Sequence, residues 1–227
     1  QSTKFGPRHF SYLYNELMED AQYCDELQTI KTIWQTEHHF WYDGYSPALL
    51  TVAGGIAAAT KHIQIGQSTM LFSQHEALRV ATQAAVVDQI SGGRLQLGLG
   101  LGYRDNEFDG FNIDRRTRKA RFEEGIEVLR ASWADSPVNF HGKQFDIPDV
   151  SVTPKPFQPE IPIWVAAVGD APIKRAAKLG LSIILSDALT LDQLSEHIEL
   201  YHKTADEYGV DTSKAKMGVL RRGWVAE

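Results

Sequence analysis

Three observations predict an α/β chain built on a parallel sheet, of the TIM (β/α)8-barrel type. Short β-rich apolar runs alternate with amphipathic helical stretches along the whole chain. The strands read as continuous apolar runs, Ile163-Trp164-Val165-Ala166-Ala167-Val168 most clearly, as strands covered on both faces do. About seven such strands fit into the 227 residues, where a full barrel has eight and typically about 250 residues. The expectation is a single barrel domain over residues 1–227, with a shortened start and without its last βα unit. A doubly wound open sheet would need a glycine-rich turn after its first strand, and Gly6-Pro7-Arg8 cannot cradle a pyrophosphate.

The elements follow in order. Lys4-Phe5-Gly6 is a stunted first strand. The helix after it carries Leu13, Leu17, Cys24 and Leu27 on one stripe. Thr32-Ile33-Trp34 is a short strand. Pro47 and the alanine-rich run to Thr60 form a helix, followed by the strand Ile63-Gln64-Ile65-Gly66. Ala77, Val80, Ala84, Val87 and Ile90 recur at helical steps, and Ser91-Gly92-Gly93 ends that helix. Leu95 to Gly100 is the next strand. Phe122, Ile126, Leu129 and Trp133 face inward from a helix over 118–133. Val138 to Phe145, with a turn at His141-Gly142, reads as a structural hairpin. After the strand at Ile163 come a short helix ending at Gly180 and a strand from Ser182 to Leu185. Thr190-x-x-Gln193 is a capping box. Its helix buries Leu194, Ile198, Tyr201 and Tyr208 and closes at Gly209. Met217 to Val225 is the last strand.

Composition narrows the function classes. The chain is 43% hydrophobic and 23% charged, with net charge −6. No electrostatic footprint favours nucleic acid or an anionic membrane. No apolar run is long enough to span a bilayer, and no secretory start is visible, so a cytoplasmic location is expected. The one cysteine, Cys24, reads as a small core residue in a reducing compartment.

In a parallel barrel, chemistry sits on the loops that follow strands. Glu37-His38-His39-Phe40, His75, Tyr103-Arg104, Gly169-Asp170 and Ser186-Asp187 all fall there. His38, His75, Tyr103, Arg104 and Gly169 are expected around one mouth. Adjacent residues of an extended chain point opposite ways. One of His38 and His39 should therefore face the mouth, where an imidazole serves as base or donor near neutral pH. The same alternation argues against a metal between them, and no other His, Cys or Asp has zinc-like spacing. The run Leu97-Gly98-Leu99-Gly100-Leu101-Gly102 places three glycines on one face. The pattern is equally compatible with a bare floor for a planar ring and with relief of crowding in a tapering barrel.

Five stretches carry a resemblance. They are "TIWQTEHHF" (32–40), "DQISGGRLQLGLGLGYRDNEFDGF" (88–111), "RFEEGIEVLRASW" (121–133), "PIWVAAVGDAPIKRAAKLG" (162–180) and "RRGWVAE" (221–227). Together they resemble the luciferase-like flavin-dependent monooxygenases. The resemblance implies a TIM barrel that binds reduced FMN or, in one branch, the deazaflavin F420. It implies that FMN, supplied by a separate reductase, and O₂ oxygenate a small organic substrate through a C4a-peroxyflavin. Hydride transfer with F420 and a catalytically silent flavin-binding chain are the alternatives, and Glu37-His38-His39 favours the FMN branch. His38 matches the catalytic acid/base of the family's Glu-His-His motif. Gly100 matches a residue close to the isoalloxazine, and Gly102 and Tyr103 continue that cofactor-binding segment. The resemblance puts the family's phosphate-gripping arginine at Leu101 and implies Arg104, three residues on, as its replacement. Val168 and Gly169 fall in the segment that holds the flavin phosphate, where a helix N-terminus suits an anion. Unpaired edges of an incomplete barrel invite pairing with another chain, so a homo-oligomer is expected.

Overall fold

The computed structural model describes residues 8–223. The expected strand at Lys4-Phe5-Gly6 and the end of the last strand, from residue 224, lie outside the described residues. The chain divides into two compact units, Gln1–Ile161 and Pro162–Glu227.

The first unit opens with α1 (Arg8–Leu27), then β1 (Thr32–Gln35), α2 (Leu49–Ala59), β2 (Gln64–Gln67), α3 (Ala77–Ser91) and β3 (Leu95–Leu99). β1 runs parallel to β2 with Gln35 opposite Gln67, and β2 runs parallel to β3 with Ile65 opposite Leu95. Each strand–helix–strand step thus returns the chain in the same direction, as a parallel sheet requires. Ile65, Leu95 and Leu97 are fully buried, together with Ile56 of α2 and Ala81 and Ala84 of α3. Gly92, in left-handed conformation at φ 64°, ends α3. Next come α4 (Asp105–Gly110) and α5 (Arg118–Trp133). The hairpin is present as antiparallel β4 (Val138–His141) and β5 (Asp146–Val150).

The second unit contains β6 (Ile163–Ala167), α6 (Asp170–Lys178), β7 (Ser182–Leu185), α7 (Leu191–Tyr208) and β8 (Met217–Val219). β7 pairs in parallel with β6 and with β8. Thr190 and Gln193 form the expected capping box, and left-handed Gly209 closes α7.

Some expectations shift. Leu13 and Leu27 of α1 are exposed, and among its described side chains Ala21 and Asp25 are buried. Ile90 is exposed, in a groove shared with Leu50, Val86 and Val87. Tyr208 is exposed as well, because its ring carries the Lys178 ammonium 4.1 Å from its centroid, a contact an amphipathic ring makes at a surface. β8 stops at Val219, where Leu220, Arg221 and Arg222 turn to solvent.

One cation locks the first unit together. The Arg94 guanidinium donates to Ser91 O, Thr60 Oγ1, Ile63 O, Ala57 O and Thr60 O at 2.7–3.0 Å. These include carbonyls at the C-terminal end of α2 that have no helical partner. Replacing Arg94 by Ala should lower the unfolding free energy by about 3 kcal/mol, because buried carbonyls lose a charged donor. Arg94→Lys should recover only part of this, since an ammonium lacks the planar fork. Urea denaturation of the three proteins measures both effects.

Candidate functional site

Beyond β1 the chain continues to alternate. Gln35, Glu37 and His39 are buried, whereas Thr36 is exposed and His38 half-buried. Consecutive side chains therefore leave in opposite directions, and the two histidines belong to different surroundings.

His38 stands among aromatic rings. Its centroid lies 5.2 Å from Tyr45, 5.9 Å from Trp41 and 6.0 Å from Tyr103, the last edge-on. Tyr45 is held by a 2.6 Å hydrogen bond between its hydroxyl and Thr36 Oγ1. The Arg104 guanidinium lies 4.3 Å over the Trp41 ring. Nδ1 of His38 is 2.9 Å from Glu107 Oε1. That same oxygen accepts the backbone N–H of His39 at 3.1 Å and lies 3.7 Å from Arg104 Nη1. Glu107 is fully buried. A carboxylate only accepts hydrogen bonds, so this contact places the proton of the neutral ring on Nδ1 and leaves Nε2 with its lone pair.

His39 turns the other way. It meets Phe111 edge-on at 4.7 Å, and its Nε2 is 3.1 Å from Glu37 Oε1. His75 reaches the same carboxylate, with Nε2 3.0 and 3.2 Å from the two oxygens, while Leu71 N–H donates to Oε2. Burial pushes the Glu37 carboxyl up. The close approach of the His39 ring, the hydrogen bond and charge of His75 and the Leu71 N–H outweigh it and hold the carboxyl at about 2. Of the expected mouth residues, the structure thus brings Tyr103 and Arg104 to His38, and His75 to Glu37 and His39 instead.

The glycines have packing partners. A Cβ on Gly98 would lie 1.6 Å from the Gln67 carbonyl oxygen, and one on Gly100 would lie 2.6 Å from Thr69 Oγ1. One on Gly102 would lie 2.8 Å from Gln74 Nε2 and 3.3 Å from the Phe108 ring. Met70 N–H donates to Gly98 O, and Gly100 N–H donates to Met70 O, both at 2.8 Å. The bare positions let residues 67–74 run directly against β3. Gly102 also has φ 72°, which ends the strand alternation before it.

In the second unit, Val168 is exposed and Gly169 is the N-cap of α6 at φ 84°. No side chain caps that end, and a Cβ on Gly169 would meet nothing within 4 Å. Asp170 stands in the first turn.

Two features of the candidate site escape a reading of the sequence. Glu107 sits on α4, whose stretch Asp-Asn-Glu-Phe-Asp-Gly shows no apolar period, only the buried pair Glu107 and Phe108. A glutamate directly before an aromatic, soon after the glycine run, is the only signal. The Glu37–His39–His75 group joins residues far apart in sequence, and the parallel β1–β2 register brings them together.

Two outcomes follow from this geometry. Glu37 has an ordinary value of 4.5 lowered to about 2, so its stabilisation is complete above pH 4.5 and is lost as pH falls toward 2. In that window the parent protein should lose stability more steeply than Glu37→Gln, as followed by denaturant midpoints at successive pH values. Gly98→Ala should be far more damaging than Gly100→Ala, because its clash is with backbone. Thr69→Ala should rescue Gly100→Ala in part, and a double-mutant cycle reads the coupling.

Comparison with known proteins agrees with this architecture. The family model described as luciferase-like monooxygenase matches residues 5–227. The chain is 28% identical over 210 residues to the alkanal monooxygenase beta chain of Vibrio harveyi, covering 92% of this chain and 64% of that one. It is 30% identical over 198 residues to the beta chain of Photorhabdus laumondii, covering 87% and 61%. The crystal structure of monooxygenase RslO1 from Streptomyces bottropensis superposes with a TM-score of 0.81 at 29% identity, over 91% of this chain and 64% of that one. An F420-dependent secondary alcohol dehydrogenase shares the fold with a TM-score of 0.79 at 22% identity, over 91% and 64%. The chain spans less than two thirds of the length of these relatives. It belongs to the luciferase-like monooxygenase family and has that family's α/β, TIM-barrel-type fold.

Proposed function

We propose that the chain carries the flavin site of a monooxygenase that uses reduced FMN and O₂ to oxygenate a small organic substrate. The observation that carries this reading is the His38–Glu107 pair, set among Trp41, Tyr45 and Tyr103 with Arg104 beside it.

The residues fit a planar, partly polar ring. Trp41, Tyr45 and Tyr103 all present exposed ring surface. Arg104 Nη1 and Glu107 Oε2 are buried atoms with no hydrogen-bond partner in the structure, and polar atoms so placed ask for a ligand or water. Gly100, Gly102 and Tyr103 are assigned to the ring of the cofactor, and Arg104 to its phosphate. Within the second unit, Val168 and Gly169 are by themselves a candidate anion-binding turn, matching the family's flavin-phosphate segment, on the strength of backbone N–H groups in the uncapped first turn of α6. Asp170 stands in that turn and opposes a bound dianion by its charge.

When bound, reduced FMN supplies the electrons that activate O₂. The chain supplies orientation, exclusion of water by aromatic rings, and a proton held or accepted at Nε2 of His38. Glu107 positions that ring by fixing the Nδ1 proton. The same reading carries one barrel domain over 1–227, a flavin reductase as the source of reduced FMN, a homo-oligomer and a cytoplasmic location. No helix among the described residues is long and apolar enough to cross a membrane.

The test is a titration with FMN and with F420 by fluorescence quenching, followed by oxygen uptake with reduced FMN. His38→Ala should keep most of the flavin affinity and lose roughly 10²–10⁴-fold in turnover, the usual contribution of a general acid–base group. Tight F420 binding without FMN binding would support hydride transfer instead. FMN binding without any oxygen uptake in the parent protein would mark a silent flavin-binding chain.

A further inference from the structure

We propose that Glu37, His39 and His75 form a binding site for a divalent first-row transition ion of the zinc type, distinct from the His38 cluster. One carboxylate oxygen and two imidazole nitrogens lie within 4.8 Å of one another. Two nitrogens and one oxygen are a donor set that such ions take readily. Around a tetrahedral zinc ion with bonds of about 2.0–2.2 Å, neighbouring donor atoms stand roughly 3.3 Å apart. Nε2 of His39 and Nε2 of His75 already lie 3.1 and 3.0 Å from Glu37 Oε1. Both of these spacings are close to the value a bound ion would set, and all three donors stay within 4.8 Å of one another.

A second observation points the same way. His39 is buried, with 6% of its surface exposed, and its Nε2 has no hydrogen-bond partner. The nitrogen is close to Glu37 Oε1 but not aligned to donate to it. An imidazole N–H so placed would be wasted, whereas a lone pair there has a use as a ligand.

The surroundings are built to hold the donors. Leu71 N–H fixes Glu37 Oε2, the kind of outer contact that orients a metal-bound carboxylate. Arg121 donates to the carbonyls of Ser73 and His75 at 2.8 and 3.0 Å and fixes the backbone that carries His75. His75 is the most exposed of the three side chains, at 28%, and gives the ion its path in and room for a water as a further ligand. A bound ion would tie the end of β1 to the segment after β2.

The test uses the whole 227-residue chain, stripped with a chelator and titrated with Co²⁺ as a coloured stand-in for zinc. The expected result is one equivalent bound, with the intense visible absorption of four-coordinate cobalt, displaced by Zn²⁺. His75→Ala should weaken binding by more than about tenfold to a hundredfold, the loss that removing even an outer partner of a metal ligand causes. His141→Ala should leave it unchanged, since His141 pairs with Asp146 on the exposed hairpin, away from Glu37. In the parent protein, Co²⁺ should shift the ring-proton resonances of His39 and His75 and leave those of His141 in place, a readout that needs no variant to fold. Absence of uptake at equimolar cobalt, uptake unaffected by His75→Ala, or unmoved His39 resonances would each overturn the proposal.

Discussion

A buried carboxylate must find donors or lose its charge, and Glu107 takes donors from two consecutive residues. One oxygen receives the His38 imidazole and the His39 backbone N–H, with Arg104 standing 3.7 Å away. The backbone bond fixes the path of the chain after β1, and the side-chain bond fixes the His38 ring. Glu37 does the corresponding work on the other side, where two imidazoles and the Leu71 N–H converge on it. The short segment from Glu37 to His39 is thus gripped by one carboxylate from α4 and itself supplies the other. His38 can be half-exposed and still have a defined orientation.

The glycine run serves the same segment indirectly. Parallel β1 and β2 carry Gln35 and Gln67 side by side, and the chain beyond β2 must then pass tightly over β3. Gly98 and Gly100 make room for it, down to the Met70 amide and carbonyl that bond across. Leu71, which holds Glu37, and His75, which pairs with it, lie on this passing stretch. A side chain at Gly98 would therefore disturb Glu37 by moving its partners, without touching it.

The alternating apolar pattern made the strand–helix order legible, from the parallel pairs to the hairpin, because periodicity reports burial directly. The Glu-His-His run and its alternation could be read as well, since an extended chain separates neighbours whatever the fold. What could not be read depends on contacts across the sequence. Nothing local marks Glu107 as the partner of His38, 69 residues away. Nothing local joins His75 to His39, and the glycines read as readily as a ligand floor as a packing surface. Ile90 and Tyr208 carried the right period for burial yet lie at the surface, where a groove and a lysine occupy the space a core would fill.

The central claim is that Glu107 sets the orientation and proton position of His38. The most direct measurement is the ¹⁵N shift pair of the His38 ring in labelled protein, above the pH at which the ring is neutral. A protonated-type signal for Nδ1 and a lone-pair-type signal for Nε2 are predicted, with the two collapsing toward tautomer averaging in Glu107→Gln. A proton found on Nε2 in the parent protein, or a pattern unchanged by Glu107→Gln, would contradict the account.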